Sequence, residues 1–537
     1  MRELLTSAQM RAIEQAAMGS GAVSGLELME RAGRGVVEAI FEEWPALARA
    51  PQRAAVLCGP GNNGGDGFVV ARLLEAWGWA VELFLYGDPA ALPPDARANF
   101  ERWGRRPGTI EEATARDDLQ ADVVVDALFG IGLVRPLEGL DALLRLLSGR
   151  GEGRPAIVAV DIPSGLCADS GRVLAGEGLH GPAAVSADLT VTFHRAKLGH
   201  VLGDGPRHCG RLVCKDIGLS SWEKILPPEA PDLCHRAAPA DPALMAKSQG
   251  DHKYAHGHAL ILSGPKARSG AARLAARGAL RIGAGLVTVA APKSALEECA
   301  AQLTAIMLRH CDGAAGLDEL LEDARLNALC LGPGLGLGGE TRDLVRRALQ
   351  SGRACVLDAD ALSVFAEAPE ALFEMLHGGC VLTPHGGEFA RLFPDIAAKL
   401  EAPAESGPAW SKVEATRAAA ARAGCVVLFK GADTVIADPT GRCVVNAACY
   451  ARAAPWLATA GAGDVLAGFI TGLLARGLAP MRAAETAAAL HVEAALEFGP
   501  GLIAEDLPEV LPRVLRALEL QAGAGLQVPA WTGRPSA

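Results

Sequence analysis

Residues 54–70 read AAVLCGPGNNGGDGFVV. Ala54 to Cys58 form a short apolar run of the length of one buried strand, a glycine-rich turn follows, and Phe68-Val69-Val70 resumes the apolar pattern beyond it. A strand, a glycine turn and a helix in that order bring bare backbone amides and the positive end of a helix to one place, where an anion sits well. Glycine also serves such turns for steric reasons alone. The polar residues of the turn carry more weight: Asn62, Asn63 and Asp66 crowd two amides and a carboxylate together, which is costly unless they bind something.

The pattern extends outward. Apolar runs recur at Val81 to Leu85, Asp122 to Val125, Ile157 to Val160 and Leu189 to Phe193, with helix-like segments between several of them. Strands alternating with helices predict a parallel sheet covered on both faces, an α/β fold laid out as a Rossmann-like three-layer sandwich. Upstream, Thr6-Ser7-Ala8-Gln9 has the form of a capping box and opens a helix predicted to reach about Met18. From Pro227 to Pro242 five prolines fall within sixteen residues, a density that suits neither a helix nor a central strand. We place the domain boundary there. The alternation returns at Ala259 to Leu262, Leu286 to Ala290, Ala328 to Leu331, Cys355 to Leu357, Val381 to Thr383 and Val426 to Phe429, which predicts a second α/β domain. The expected division is a domain over 1–225, a Pro-rich linker over 226–245, a domain over 246–515 and a flexible tail over 516–537. No repeat relates the halves.

Composition narrows the function. At roughly 150 residues per domain, 537 residues hold two to four domains, so a single small binding module is excluded. Hydrophobic residues at 50% and charged residues at 21% are those of a chain that buries real cores. The net charge is -11 and no basic block stands out, which argues against nucleic acid or anionic lipid and for a small-molecule partner. The uncharged stretch Leu326 to Gly339 is 14 residues long and broken by glycines and a proline, short of the roughly 18–20 residues of a membrane span. The start, MRELLTSAQMRAIEQ, has acidic residues and no apolar core of the secretory kind. Thirteen cysteines, mostly within apolar runs and without a C-x-x-C pair, read as buried thiols of a reducing, cytoplasmic compartment.

Two further aspartates stand at strand ends: Asp126 in VVVDALFGIGLVRP and Asp161 in VAVDIPSGL. Ligands of open α/β sheets bind at the carboxyl ends of the strands, so both are expected to converge on the Asn63 turn. Each alone would serve as a strand-end cap; together they make a site. By the NNGGD loop, the D-x-x-F-G-x-G segment from Asp126 to Gly132 and the D-I-P-S-G turn from Asp161 to Gly165, this half resembles the NAD(P)H-hydrate epimerase family. The resemblance implies epimerisation at C6 of the hydrated nicotinamide ring of NADHX and NADPHX. It places dinucleotide contacts on Asn62, Asn63, Gly64, Gly65 and Asp66, on Gly130, Ile131, Gly132, Leu133, Val134, Arg135 and Pro136, and on Asp161. It places potassium ligands on Asn63, Asp126 and Ser164, whose oxygens are hard donors suited to that ion. Asp161 is the candidate acid/base group, because inverting a carbinolamine-type carbon requires a proton to move on and off.

In the second half the most specific segment is Thr459-Ala-Gly-Ala-Gly-Asp464-Val-Leu-Ala-Gly, followed by an apolar helical stretch. Small residues expose the amides of a helix start to a phosphoryl group, and the aspartate beside them can take a proton from an attacking hydroxyl. Gly for packing and Asp as a helix cap is the plainer explanation of that turn alone. Three more loops end strands: Leu331-Gly-Pro-Gly-Leu-Gly336, Thr383-Pro-His-Gly-Gly-Glu388 and Lys430-Gly-Ala-Asp-Thr434. Four such loops are expected to line one crevice. With Gly270-Ala271-Ala272 and the Gly283-Ala-Gly-Leu-Val stretch, the set resembles the ADP-dependent NAD(P)H-hydrate dehydratase family, a branch of the ribokinase-like fold, from about Tyr254 to Gly499. By that resemblance Ala271, Gly336, His385 and Asp464 contact the hydrated dinucleotide, while Lys430, Gly431, Ala432, Asp433, Thr434 and Gly463 contact the adenine nucleotide. Mg²⁺ would neutralise the phosphates, and Asp464 would be catalytic.

The joined expectation is a bifunctional metabolite-repair enzyme. One site epimerises R- and S-NAD(P)HX; the other dehydrates the S form while ADP becomes AMP and phosphate. Its expected partners are small molecules, without nucleic acid or membrane, and the chain is expected to form a homo-oligomer. Two other readings stand beside it: a kinase of a small hydroxylated metabolite in the second half, and a non-catalytic nucleotide sensor in the first. His252, His256 and His258 invite a metal, yet no cysteine or carboxylate completes a recognised ligand set.

Overall fold

The computed structural model describes residues 3–523 except 117–118, 149–153, 175–182, 227–231, 239, 249 and 404–407. Among the described residues the first half is built on seven parallel strands, in spatial order Gly108–Thr109, Ala80–Leu85, Arg53–Cys58, Val123–Ala127, Ala156–Val160, Leu189–Phe193 and Arg211–Lys215. Side chains alternate across it as the pleat requires. Ala54, Val56 and Cys58 enter one core and Ala55 and Leu57 the other, so both faces are covered. After Arg53–Cys58 the chain adds Ala80–Leu85 on one side and later Val123–Ala127 on the other. The loops that follow Cys58 and Ala127 therefore diverge at a switch point, where such sheets open a crevice.

The second half repeats the principle with a larger sheet. Among the described residues its eleven strands run Glu3–Leu4, Cys234–Arg236, Cys443–Ala447, Asp433–Ala437, Val426–Phe429, Cys380–Leu382, Ala354–Leu357, Leu326–Leu331, His258–Leu262, Leu286–Ala291 and Met307–His310. The seven from Val426–Phe429 onward are parallel; the chain turns antiparallel at Asp433–Ala437 and Cys443–Ala447. Leu260 and Leu262 face one core while Ala259 and Ile261 face the other. The switch point here falls between His258–Leu262 and Leu326–Leu331.

The helix predicted from Thr6 spans Ser7–Gly19. The Thr6 hydroxyl accepts from the Gln9 amide at 3.2 Å and the Gln9 side chain accepts from the Thr6 amide at 2.9 Å. Two boundaries need correction. The segment 226–245 is more than a linker: Cys234–Arg236 pairs with Cys443–Ala447 on one side and Glu3–Leu4 on the other, inside the second sheet. The prolines leave a proline-free window from Asp232 to Ala238 that holds this strand, and Pro242 opens the helix Pro242–Met245, where its missing N–H costs nothing. The last helix, Asp506–Gly523, runs past residue 515 into the stretch expected to be a flexible tail; residues 524–537 lie outside the described set. The halves also interlock, since Leu4, Leu198, Val201 and Leu202 of the first are buried in the core of the second. No helix among the described residues is long and apolar enough to cross a membrane. All thirteen cysteines are free, and all but Cys214 are buried.

Candidate active sites

Both sites assemble at the switch points. In the first half the helix Asn62–Ala76 begins directly after the glycine turn, placing Asn62, Asn63 and Asp66 in its opening turns. Gly64 and Gly65 are buried within the same turn, packed against the Gly59 carbonyl and Met29. Asp126 ends Val123–Ala127 fully buried. Ser164 donates its hydroxyl to Oδ1 at 2.6 Å and its amide to Oδ2 at 2.8 Å, and the Leu128 amide adds a third bond at 3.3 Å. No cationic side chain pairs with this carboxylate among the described residues, and burial pushes it above the usual carboxylate range.

Asp161, at φ +66, stands at the end of Ala156–Val160. Its Oδ1 accepts from Lys197 Nζ at 2.8 Å and from the Thr192 hydroxyl at 2.9 Å; its Oδ2 faces the Ile131 amide at 3.3 Å. A Cβ on Gly130 would stand 2.8 Å from Asn63 Oδ1 and 3.3 Å from Asp161 Oδ2, so a bare residue lets this loop lie between them. Burial alone would raise the Asp161 carboxyl, but the Lys197 ammonium, with help from Thr192, holds it below its ordinary value. Nearby Glu14 goes the other way: burial, reinforced by Asp161 and opposed by Lys197, lifts it to about 7. Burial together with Asp161 and Glu14 raises Asp66 as well. Asn63, Asp66, Asp126, Gly130, Ile131, Asp161 and Ser164 are thus brought together. Leu133 packs into the core, and Gly132 and Arg135 are exposed.

In the second half the loops after His258–Leu262 and Leu326–Leu331 interlock. Gly334, at φ +74, lies so close to the Arg268 carbonyl that a Cβ there would come within 2.4 Å of the oxygen. Gly336 donates its amide to Asp360 Oδ2 at 2.7 Å, and Ala271 stands in the first turn of the helix Gly270–Arg281 that leaves the loop. Lys430 reaches across the crevice. Its ammonium is 2.6 Å from buried Asp358, 3.9 Å from Glu388 and 3.7 Å from where a Cβ would lie on Gly463. Burial works against that charge, but Asp358, Glu388 and Asp464 outweigh it and hold the proton above the usual lysine range. Asp464 opens the helix Ala462–Ala475; burial and then the negative field of Asp358 raise it to about 6. His385 caps the helix Gly386–Leu392, with Nδ1 accepting from the Gly387 amide at 3.0 Å and the ring edge open to solvent.

Lys430, Gly336, His385, Gly463 and Asp464 therefore converge. Gly431 and Ala432 are exposed beside them. Thr434 and Asp433 turn inward instead: the Thr434 hydroxyl donates to the Gly431 carbonyl at 2.8 Å, and Asp433 binds Lys412 at 2.7 Å and the Gly203 amide at 2.9 Å. Sequence reasoning missed Lys197, Thr192, His200 and Glu14 in the first site, and Asp358 and Asp360 in the second. The last two directly follow the strand Ala354–Leu357, so the strand-end rule that found Asp126 points to them too. The three histidines near 252–258 do not gather: His258 contacts Thr288 at 2.8 Å and His252 caps the turn Lys253–His256.

Two parallel-sheet α/β domains in one chain, each with buried carboxylates and a lysine at its switch point, define a fused two-site enzyme. Residues 25–199 match the family described as YjeF-related protein N-terminus, and residues 259–512 match that described as NAD(P)H-hydrate dehydratase. A bifunctional NAD(P)H-hydrate repair enzyme from Moorella thermoacetica is 38% identical over 96% of this chain and 97% of its own length. An NAD(P)H-hydrate epimerase from Rhodobacter capsulatus is 55% identical over 37% of this chain and 92% of its own. Among solved structures, an ADP/ATP-dependent NAD(P)H-hydrate dehydratase from Bacillus subtilis, co-crystallised with ATP and Mg²⁺, is 28% identical over 51% of this chain and 94% of its own, with a TM-score of 0.41. The chain belongs to the family of bifunctional NAD(P)H-hydrate repair enzymes.

Proposed function

We propose that the first site interconverts the R and S forms of hydrated NADH and NADPH at C6, and that the second dehydrates the S form with ADP as phosphoryl donor. The observation that carries this reading is the placement of Asp161 and Asp464. Each is a carboxylate at the carboxyl edge of its sheet near a lysine, Lys197 fully buried and Lys430 partly so; the first carboxyl is held below and the second raised above the ordinary range. In the first site Asp161 Oδ2, which carries only the long 3.3 Å bond from the Ile131 amide while Lys197 and Thr192 hold Oδ1, accepts a proton from the hydrate, and the Lys197 ammonium stabilises the charge that develops. Without a general acid/base pair the two epimers would equilibrate only at the solution rate.

In the second site hydroxide is a poor leaving group, so the C6 hydroxyl first attacks the terminal phosphoryl of ADP and AMP departs. Asp464 takes the hydroxyl proton. The ring-nitrogen lone pair then expels phosphate from C6, and loss of a proton from C5 restores the dihydronicotinamide. Lys430 holds the negative nucleotide beside Gly463. Joining the two sites has a chemical logic, because a stereospecific dehydratase repairs only one of two epimers.

A potassium ion fits the first site. Asp126 is a buried carboxylate with three hydrogen bonds and, among the described residues, no counter-charge; Ser164 adds a hydroxyl oxygen, and Asn63 Oδ1, facing Gly130, can supply an amide oxygen. Bound there, the ion would supply the missing positive charge beside Asp126. For Mg²⁺, no three His, Cys, Asp or Glu side chains among the described residues form a cage. That ion keeps several waters and binds through one or two carboxylates together with substrate phosphates, a role Asp358 and Asp464 fit. Bound with ADP it would neutralise the diphosphate. Product analysis tests the scheme: incubation of S-hydrate with ADP should release AMP, inorganic phosphate and reduced coenzyme in equal amounts. Accumulation of a stable phosphoester would instead make the second half a kinase.

A further inference from the structure

The turn that carries Lys197 and His200 belongs to the first half by sequence and to the second by packing. Leu198, Val201 and Leu202 are buried in the core of the second sheet. On that side Tyr450, from the short turn Tyr450–Arg452, donates its phenol O–H to the His200 carbonyl at 2.5 Å, and Asp433 accepts the Gly203 amide at 2.9 Å. On the inner side His200 Nδ1 accepts the Lys197 amide at 2.9 Å, so the other ring nitrogen carries the proton and donates to the Asp161 carbonyl at 2.9 Å. The Lys197 ammonium closes the circuit on Asp161 Oδ1. Both ends of this chain of bonds sit in the left-handed region, Asp161 at φ +66 and Tyr450 at φ +55. Residues other than glycine keep such a backbone only where their surroundings fix it.

We propose that Tyr450 is a positioning residue for the epimerase centre. From the dehydratase half it fixes the His200 carbonyl, and through the His200 ring it fixes the backbone of Asp161 and the ammonium of Lys197. The inference rests on the epimerase reading of the first site. Tyr450 bonds the His200 main-chain carbonyl rather than Asp161 or Lys197 themselves, so its loss misaims the acid/base pair from a distance. Small misplacements of that kind are felt in the chemical step.

The test is Tyr450→Phe in the full chain, which keeps the ring and deletes the phenol's bond to the His200 carbonyl together with its contact to the Cys209 thiol. Epimerisation should lose at least fivefold in kcat with KM for the R-hydrate within twofold, while dehydration of purified S-hydrate stays within twofold. Hydrogen exchange of the Lys197 amide, which donates to His200, should accelerate at least tenfold. Unchanged epimerisation with unchanged Lys197 exchange would overturn the proposal, and so would equal losses in both activities, the mark of general loosening. Should the unsubstituted chain fail to epimerise at all, the reading of the first site falls. The Lys197 exchange rate then decides alone: faster exchange upholds the positioning by Tyr450, and unchanged exchange removes it.

Discussion

Lys197 is among the largest fully buried side chains of the protein, 1% exposed, and its charge is balanced by Asp161. Removing one partner of a buried pair leaves the other uncompensated, at a cost of about 3 kcal/mol or more. Lys197→Met should therefore lower the urea midpoint of the first half by that equivalent and stop epimerisation, with dehydration of S-hydrate retained. The Asp161 carboxyl is held below its unfolded value, so the stability it contributes is present above the ordinary carboxylate range and is lost as the pH falls beneath it. Asp464 has the opposite shift. Raised to about 6, it is protonated below that pH and cannot take the hydroxyl proton. Dehydratase kcat/KM should climb as the pH rises through about 6 and then level off. Asp464→Asn should be inactive across the range; a flat profile in the unsubstituted enzyme would assign the base elsewhere.

Loops are set by the strands they leave. Gly334→Ala would press a Cβ to 2.4 Å from the Arg268 carbonyl in a left-handed backbone, forcing the loop that carries Gly336 away from the crevice. Dehydratase kcat/KM should fall by roughly tenfold or more, with epimerisation unchanged. The same logic separates what was legible in the sequence from what was not. Stretches of strand buried on both faces, such as Ala54 to Cys58 and Ala328 to Leu331, announce themselves as continuous apolar runs. Arg211–Lys215 and Met307–His310, at sheet edges and only partly buried, mix charged and apolar residues and were not legible. Asp126, Asp161 and Asp464 stand next to strands or glycine turns and could be found by position. Lys197 and His200 could not: they come 36 and 39 residues after Asp161 in HRAKLGH, and only folding brings them to it. The one local signal was the pair of threonines, Thr190 and Thr192, alternating with apolar residues in the strand Leu189–Phe193, of which only Thr192 bonds Asp161.

The two domains are not beads on a string. Glu3–Leu4 crosses to the second sheet, the turn after Lys197 is buried in the second core, and Arg172 donates to the carbonyls of Leu400, Glu401 and Ala402 at the end of a second-half helix. An epimerase and a dehydratase built into one another suit a substrate that exists as two epimers of which one is repaired. The decisive measurement supplies a mixture of R- and S-NADPHX with ADP and follows the absorbance of the dihydronicotinamide ring. The unsubstituted chain should return both epimers to NADPH with one AMP formed for each, whereas Asp161→Asn should stop promptly once the S fraction is spent. Full and equally fast recovery of both epimers by Asp161→Asn, or no recovery by the unsubstituted chain, would contradict the account.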